Sequence, residues 1–293
     1  YIRHANIWMT LLIVSVMTLT FLNLVVITGI LVGLIAGAEQ SFSAEYAGDV
    51  LISTLPSKSY IEQSARVHAT LDGIPAITHT SSRYLVSGTV EGNYKRDLNQ
   101  TNTLPDAAAA SVAGIDPVAE SRVTGLETNV IEGAYLTPND HDKVLLGAYL
   151  VERHLPVGTG FETIADVYPG DKILLKINGI EKEMTIKGIV QSKADQVSLR
   201  AYVLDTTLRK LIERNDYNTS EIAVRIAPDA DPNVVAATIA ERGVQDVALV
   251  RTARDAIGRF LDDIKTTMTT LGNVIGAIGL AVASITIFIV IFI

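Results

Sequence analysis

Histidine and acidic side chains are the residues in this sequence whose types could do chemistry, as metal ligands or as general acids and bases. The five histidines are His4, His68, His79, His141 and His154. No two of them have the spacing that ligates one metal from a single helix face. His68 lies on the apolar side of a predicted helix, which favours packing. Asp140 and Asp142 flank His141 after Pro138-Asn139, a pattern typical of a solvated turn.

The motifs of the common nucleotide-binding and hydrolytic sites are absent from this sequence. It contains no GxxxxGK[ST] phosphate-binding loop and no GxSxG, HExxH or SxxK. It also contains no cysteine, so disulfide and thiol chemistry are excluded. The sequence therefore predicts no catalytic residue, no cofactor-binding residue and no metal site in this chain.

Charge is confined to the middle of the sequence. Residues 5–38 and 266–293 contain no Asp, Glu, Lys or Arg, and Arg3 is the one base outside the middle. The middle therefore holds 23 of the 24 bases and all 32 acids, a net charge of 23 − 32 = −9. This balance argues against a nucleic acid partner. About 225 residues are enough to bury a core, so we expect an acidic soluble domain between two apolar segments.

The first apolar segment, residues 7–37 within the region 1–38, is predicted to be a transmembrane helix. Ala36-Gly37-Ala38 would also fit a signal-peptide cleavage site, but the apolar run is about twice as long as a signal h-region. Arg3 precedes the span, which places the N-terminus in the cytoplasm and residues 39–265 outside it. The chain starts without Met and ends inside an apolar run, so further residues are expected at both ends.

Small residues recur at four-residue spacing in both apolar segments. They are Gly29, Gly33 and Gly37 in the first segment and Gly272, Gly276 and Gly279 in the second. Such faces let membrane helices approach closely. We expect them to pack against each other or against further helices, although small residues are also common in membrane helices generally.

Two β-α-β patterns occur far apart in the middle region. The first combines strands at 48–54 and 76–86 with a helix at 57–71. The second combines strands at 221–226 and 246–250 with a helix at 231–242, which begins at Asp231-Pro232. Together they predict an α+β fold in which residues 39–87 and 220–251 form one ferredoxin-like subdomain.

Residues 88–219 are predicted to be a mainly-β subdomain inserted between the two halves. A polar loop is expected at 91–106. Strands are expected at 109–113, 143–146, 172–177 and 183–190, and short helices at 147–154 and 206–214. Asn178-Gly179 between two alternating apolar runs predicts a two-residue hairpin turn.

Residues 252–293 are predicted to be one helix that begins as a stalk and continues into a second membrane span. The stalk carries an apolar stripe of Ile257, Phe260, Ile264 and Met268 at helical spacing, and Thr252-x-x-Asp255 fits a capping box. A helix of this length measures about 63 Å, against about 30 Å of bilayer hydrocarbon. Because no linker separates the last strand from the helix, we expect the junction to transmit motion.

Several short motifs lie in order between the two spans. They are Gly114-Ile115-Asp116-Pro117 with Glu120, Glu132-Gly133-x-Tyr135-Leu136, Val144-Leu145-Leu146-Gly147, Gly170-Asp171, and Thr185-Ile186-Lys187-Gly188-Ile189-Val190. This order resembles the periplasmic core domain of the MacB/LolC/FtsX permeases of ABC transporters. The resemblance implies a porter-like subdomain from the β-α-β halves and a sabre-like subdomain from the insert. It also implies a homo- or heterodimer with four membrane helices per permease, and ATP and Mg bound by a partner ATPase.

The leading hypothesis is therefore a multi-pass permease subunit of the cell membrane that couples ATP hydrolysis to extracytoplasmic movement, or mechanotransmission. Efflux and lipoprotein release both use this architecture, and an extracytoplasmic partner protein is possible. The alternative is a sensor, because two spans around an outer domain are also the layout of signalling receptors. An anchored enzyme is the least favoured hypothesis, since no catalytic motif is present.

Overall fold

The structure, a computed structural model, describes residues 36–97, 105–165 and 167–258 continuously. Towards the ends of the chain it also describes separate positions, all of them helical: 11, 14, 15, 18, 21, 22, 29, 33, 266, 267, 270, 272–274, 276–279, 284 and 288. Residues 40–256 form one compact unit, and residues 1–39 and 257–293 form another. Within the described residues, no helix is both long and apolar enough to cross a bilayer. The two membrane spans stay predictions.

Ten strands and six α-helices are described in the domain of residues 40–256. The strands are β1 (Val50–Thr54), β2 (Ile77–Glu91), β3 (Ala107–Ile115), β4 (Val130–Gly133), β5 (Lys143–Gly147), β6 (Lys172–Ile177), β7 (Ile180–Val190), β8 (Arg200–Leu204), β9 (Glu221–Ile226) and β10 (Ala248–Thr252). The helices are α1 (Ser64–Asp72), α2 (Tyr94–Asp97), α3 (Pro117–Thr124), α4 (Asp195–Ser198), α5 (Asp205–Leu211) and α6 (Pro232–Glu241). The domain is therefore α+β.

The two β-α-β halves share one antiparallel sheet. Its strand order is β10-β1-β9-β2, and each neighbouring pair is antiparallel. This is the order of a ferredoxin-like unit. Apolar side chains of α1 and α6, including Val67 and Ile239, pack with Ile52 and Ile222 of the sheet in one buried cluster. The apolar periodicity of both helices is satisfied by this sheet face.

The inserted residues close into a barrel. β2 pairs with β3, β3 with β8, β8 with β5, β5 with β7, β7 with β6, and β6 again with β2. A second buried cluster fills this barrel with side chains such as Val112, Leu146, Ile173 and Ile186. β2 belongs to both the ferredoxin-like sheet and the barrel. The predicted boundary between residues 87 and 88 therefore falls inside one continuous strand.

Several elements differ from the sequence-based expectation. The helix predicted over 57–71 begins only at Ser64, and the helix predicted over 147–154 is two 3₁₀ turns, Ala148–Leu150 and Glu152–His154. The strands β4 and β8 and the helix α3 were not predicted. Every residue of β8 is buried, so this strand lacks the alternation that marks a half-exposed strand.

Two predicted local motifs are confirmed. Asn178 and Gly179 have φ values of 51° and 83°, as a two-residue hairpin turn with both central residues at positive φ requires. At the end of β10, Asp255 N donates to Thr252 Oγ1 at 3.1 Å, and Thr252 Oγ1 donates to Asp255 Oδ2 at 2.7 Å. Residues 253–258 are helical directly after β10, so the described part of the stalk starts without a linker.

Candidate functional site

The entry segment, residues 40–49, leads from the first apolar segment into β1. It contains a π-helical turn, Ser43–Ala47, a conformation that is found mostly at functional sites. Ser192 Oγ donates to Glu45 Oε2 at 2.5 Å. Arg225 Nη1 donates to Asp49 Oδ1 at 3.1 Å. These bonds attach the entry segment to the barrel side through Ser192 and to β9 through Arg225.

Arg83 of β2 lies at the centre of a buried ion cluster beside this segment. Its side chain is 1% exposed, and that of Glu120 in α3 is 2% exposed. Arg83 Nη2 donates to Glu120 Oε1 at 2.6 Å, and Arg83 Nε donates to Glu120 Oε2 at 3.0 Å, the paired geometry that arginine makes with carboxylates. Arg83 Nη2 also donates to the Tyr46 carbonyl at 2.6 Å.

Glu221 of β9 and Arg200 of β8 complete the cluster around the ring of Tyr46. Tyr46 Oη donates to Glu221 Oε1 at 2.6 Å, and Arg200 donates to both Glu221 oxygens at 3.2 Å. The guanidinium carbons of Arg83 and Arg200 lie 4.8 and 4.9 Å from the Tyr46 ring centroid, within cation–π range. We call Tyr46, Arg83, Glu120, Arg200 and Glu221 the junction cluster.

The two positive and two negative charges of the junction cluster hold one another in the ionised form. Burial by itself would raise the pKa of the Glu221 carboxyl, but Arg200 and Arg83 lower that pKa to about 2. For Glu120 burial also acts to raise the pKa, and Arg83 reverses this effect, so the pKa is lowered. Burial raises the pKa of the Tyr46 hydroxyl to about 12. Tyr46 therefore stays a neutral donor to Glu221.

The entry segment also meets the start of the stalk. Ala253 N donates to the Asp49 carbonyl at 3.0 Å, and Val50 faces Thr252 in the β1–β10 ladder. The chain thus enters and leaves the domain on neighbouring hydrogen-bonded strands.

The junction cluster joins five parts of the fold that are far apart in sequence: the entry segment, β2, α3, β8 and β9. Because separating a buried ion pair leaves an uncompensated charge at a cost of about 3–5 kcal/mol, a displaced entry segment is expected to carry these elements with it. The arrangement contains no nucleophile paired with a base. Its chemistry suits a mechanical connection rather than a reaction.

The structure places the residues singled out from the sequence as follows. The six glycines occupy helical positions, and their role in helix packing stays a prediction. Ile257 is helical, whereas Phe260, Ile264 and Met268 lie outside the described residues. His68 bonds Ser82 Oγ at 2.8 Å, and burial lowers its pKa, as expected for a packed histidine. In the part of the chain that is described, no cluster of His, Asp and Glu is arranged to hold a metal ion.

The junction cluster was not predicted from the sequence. Glu120 was noticed only within the motif that follows Gly114, and the buried arginines carried no signal at all. Arg83 stands in an alternating strand, where its neighbours Ser82 and Tyr84 give no indication of a buried charge. Two basic residues inside predicted strands, Arg83 and Arg200, were the one available sign, because arginine is almost never fully buried unless it is paired.

Comparisons with known proteins agree with this architecture. Residues 10–242 match the family described as the MacB-like periplasmic core domain. Among solved structures, the periplasmic region of MacB from Actinobacillus actinomycetemcomitans is similar over 78% of this chain and 96% of its own, at 18% identity and a TM-score of 0.48. The extracellular domain of the noncanonic ABC-type transporter YknZ from Gram-positive bacteria is similar over 69% and 98%, at 14% identity and a TM-score of 0.42.

No curated protein matches the sequence, and the assignment rests on the family match, which covers most of the chain. The resemblance noted from the ordered motifs is thereby confirmed. The chain belongs to the family of the MacB-like periplasmic core domain, the extracytoplasmic domain of MacB-type ABC transporter permeases.

Proposed function

We propose that this chain is the permease subunit of an ABC transporter and that it transmits movement from the membrane to its extracytoplasmic domain. A partner ATPase binds and hydrolyses ATP with Mg, and a second permease copy or homologue completes the dimer. The transporter is of the efflux or lipoprotein-release type. The family assignment favours this permease over the two-span sensor weighed from the sequence.

The observation that carries the proposal is the way in which the domain is attached to its two flanking segments. The helix after β10 begins at a capping box without a linker, and the entry segment is bonded to the junction cluster through Tyr46. A flexible hinge absorbs displacement, whereas hydrogen-bonded and buried connections transmit it. Movement of either flanking segment is therefore expected to reorient the whole domain.

The experiment compares Ile264→Pro with Ile264→Ala in the complex with its ATPase, reconstituted in nanodiscs. Proline interrupts a helix at a cost of about 3 kcal/mol, whereas alanine preserves it. Because the chain contains no cysteine, Tyr217→Cys provides a single labelling site, and Tyr217 is 85% exposed. The distance between labels on the two permease copies is measured by electron spin resonance with and without ATP.

We expect an ATP-dependent change in label distance in the wild type and in Ile264→Ala. Ile264→Pro should lose this change but retain ATP turnover within about twofold, which also shows that the complex is assembled. A distance change that persists in Ile264→Pro, or that is absent from the wild type during ATP turnover, would refute the proposed coupling.

A further inference from the structure

A groove opens at one end of the barrel, between helix α5 and the start of strand β7. Its volume is about 680 Å³. Ile180 of β7 and Leu211 of α5 provide apolar side chains, and Lys182 and Lys210 lie at the same groove. Thr207 Oγ1 donates to the His141 carbonyl at 3.1 Å, which fixes the turn before β5 against α5. The groove therefore has an apolar surface with two flanking ammonium groups.

Both lysines of the groove lack an acidic partner, which is unusual in this acidic domain. Six other lysines have a carboxylate oxygen within 4.0 Å: Lys58, Lys95, Lys143, Lys172, Lys176 and Lys187. Among the described lysines, Lys182, Lys193 and Lys210 form no ion pair with a described residue. Two of these three line one groove. The groove is consequently a site of positive charge in a domain whose net charge is negative.

The groove also exposes a strand edge. β7 starts at Ile180, but its pairing with β5 starts only at Thr185, opposite Lys143. Thr185 N donates towards the β5 side, to the Asp142 carbonyl, and Ile186 N points the other way, to the Asp171 carbonyl. Backbone direction alternates along a strand, so the N–H groups of Glu181 and Glu183 point to the side where no described strand is paired. An open edge of this kind is a template for an added strand.

We propose that this groove binds an extended acidic segment of a protein partner, which adds a short strand to β7. The backbone of the segment pairs with the edge at Glu181 and Glu183. Its carboxylates face Lys182 and Lys210, and its apolar side chains cover Ile180 and Leu211. A peptide fits these features better than a small anion does, because a small anion uses the lysines but leaves the strand edge and the apolar surface uncovered. This inference goes beyond the proposed function, since it does not depend on ATP.

The test uses the full chain in detergent micelles and a fluorescein-labelled heptapeptide of alternating valine and glutamate, with binding followed by anisotropy. The peptide is compared with a version in which glutamine replaces glutamate and with a version that is N-methylated at alternate amides. The protein variants are the double variant Lys182→Gln/Lys210→Gln and the matched control Lys193→Gln, which removes an unpaired lysine outside the groove.

We expect saturable binding of the acidic peptide to the wild type and to Lys193→Gln. Two exposed ion pairs contribute about 1 kcal/mol together, so the double variant should bind about fivefold more weakly. The N-methylated and glutamine peptides should also bind more weakly, the first because it cannot pair with the strand edge. The absence of saturable binding up to about 1 mM peptide, or equal affinity in the double variant and the control, overturns the proposal.

Three further outcomes would assign the groove to another occupant and also overturn the proposal. Free glutamate that displaces the peptide at the peptide's own concentration would indicate a site for a small carboxylate. Groove-dependent binding of phosphatidylglycerol vesicles without binding of the peptide would indicate a lipid surface. Dimerisation that the double variant abolishes, without peptide binding, would indicate a second copy of this chain.

Discussion

Arg83→Met tests whether the buried junction cluster holds the domain together. The substitution keeps the length and apolar stem of the side chain but removes every donor of the guanidinium. Glu120, 2% exposed, then keeps only the hydroxyls of Ser81 and Thr124 as side-chain donors. Leaving one member of a buried pair without its partner costs about 3–5 kcal/mol. Glu221 retains Arg200, so the larger part of the loss falls on Glu120.

Hydrogen exchange measured by mass spectrometry on the full chain reports this loss locally. A cost of about 3–5 kcal/mol corresponds to exchange that is roughly 100-fold to several thousand-fold faster in peptides from β2 and α3. The control Arg66→Met removes an exposed arginine of α1 and should change exchange by less than about twofold. Local exchange is the suitable measurement because it separates this domain from the terminal helices.

The double variant Arg83→Met/Glu120→Met decides the physical reason. If the cost arises from an isolated buried carboxylate, removing that carboxylate should restore a large part of the stability, because apolar residues of similar volume often replace buried ion pairs at little cost. A double variant that exchanges as fast as the sum of the two single variants predicts would refute this reasoning. Exchange of β2 and α3 in Arg83→Met at the wild-type rate would refute it as well.

Three further predictions concern the acid response, a close backbone approach and the stalk cap. The lowered pKa of Glu221, from 4.5 to about 2, means that its ionised form stabilises the fold fully above about pH 4.5 and loses this effect as the pH falls to 2, so Glu221→Gln should lose its destabilisation, on the order of 3 kcal/mol, over that window of a pH-dependent exchange series. Gly147→Ala would place a Cβ 2.2 Å from a backbone carbonyl oxygen and should cost several kcal/mol in denaturant unfolding, whereas Gly160→Ala, where no described atom lies within 4 Å, should be neutral within about 0.5 kcal/mol. Thr252→Ala removes the cap on Asp255 N and should cost about 1 kcal/mol, read as faster exchange in residues 253–258 and not in β9.

Local sequence patterns were sufficient for many elements of this fold. The strands at 172–177 and 221–226 were predicted with the bounds that the structure has, and the hairpin turn at Asn178-Gly179 and the capping box at Thr252 were also correct. In each case the signal is short-range: alternation of apolar residues, a turn that requires positive φ, or a hydroxyl three residues before an acidic side chain. Such patterns depend little on the rest of the chain.

Elements buried on both sides were harder to predict. β8 is a continuous apolar run with one arginine, so its sequence has neither the period of a strand nor that of a helix. α3 begins at Asp116-Pro117, and Asp116 caps it by accepting hydrogen bonds from Val118 N and Ala119 N, but its apolar periodicity is too weak to predict a helix. These elements are defined by the barrel and the ion cluster that surround them, and those surroundings are not local in sequence.

The sequence by itself determined the charge pattern, the two apolar ends, the two β-α-β halves and the ordered motifs of the family. Only the tertiary structure decided that β2 serves both the sheet and the barrel, and that Arg83, Glu120 and Glu221 share one buried site. The physical reason is separation: Arg83 and Glu221 are 138 residues apart in the chain, and a buried charge is stable only beside its partner. No periodicity of 2 or 3.6 residues records such a pairing, because it is created when distant strands become neighbours.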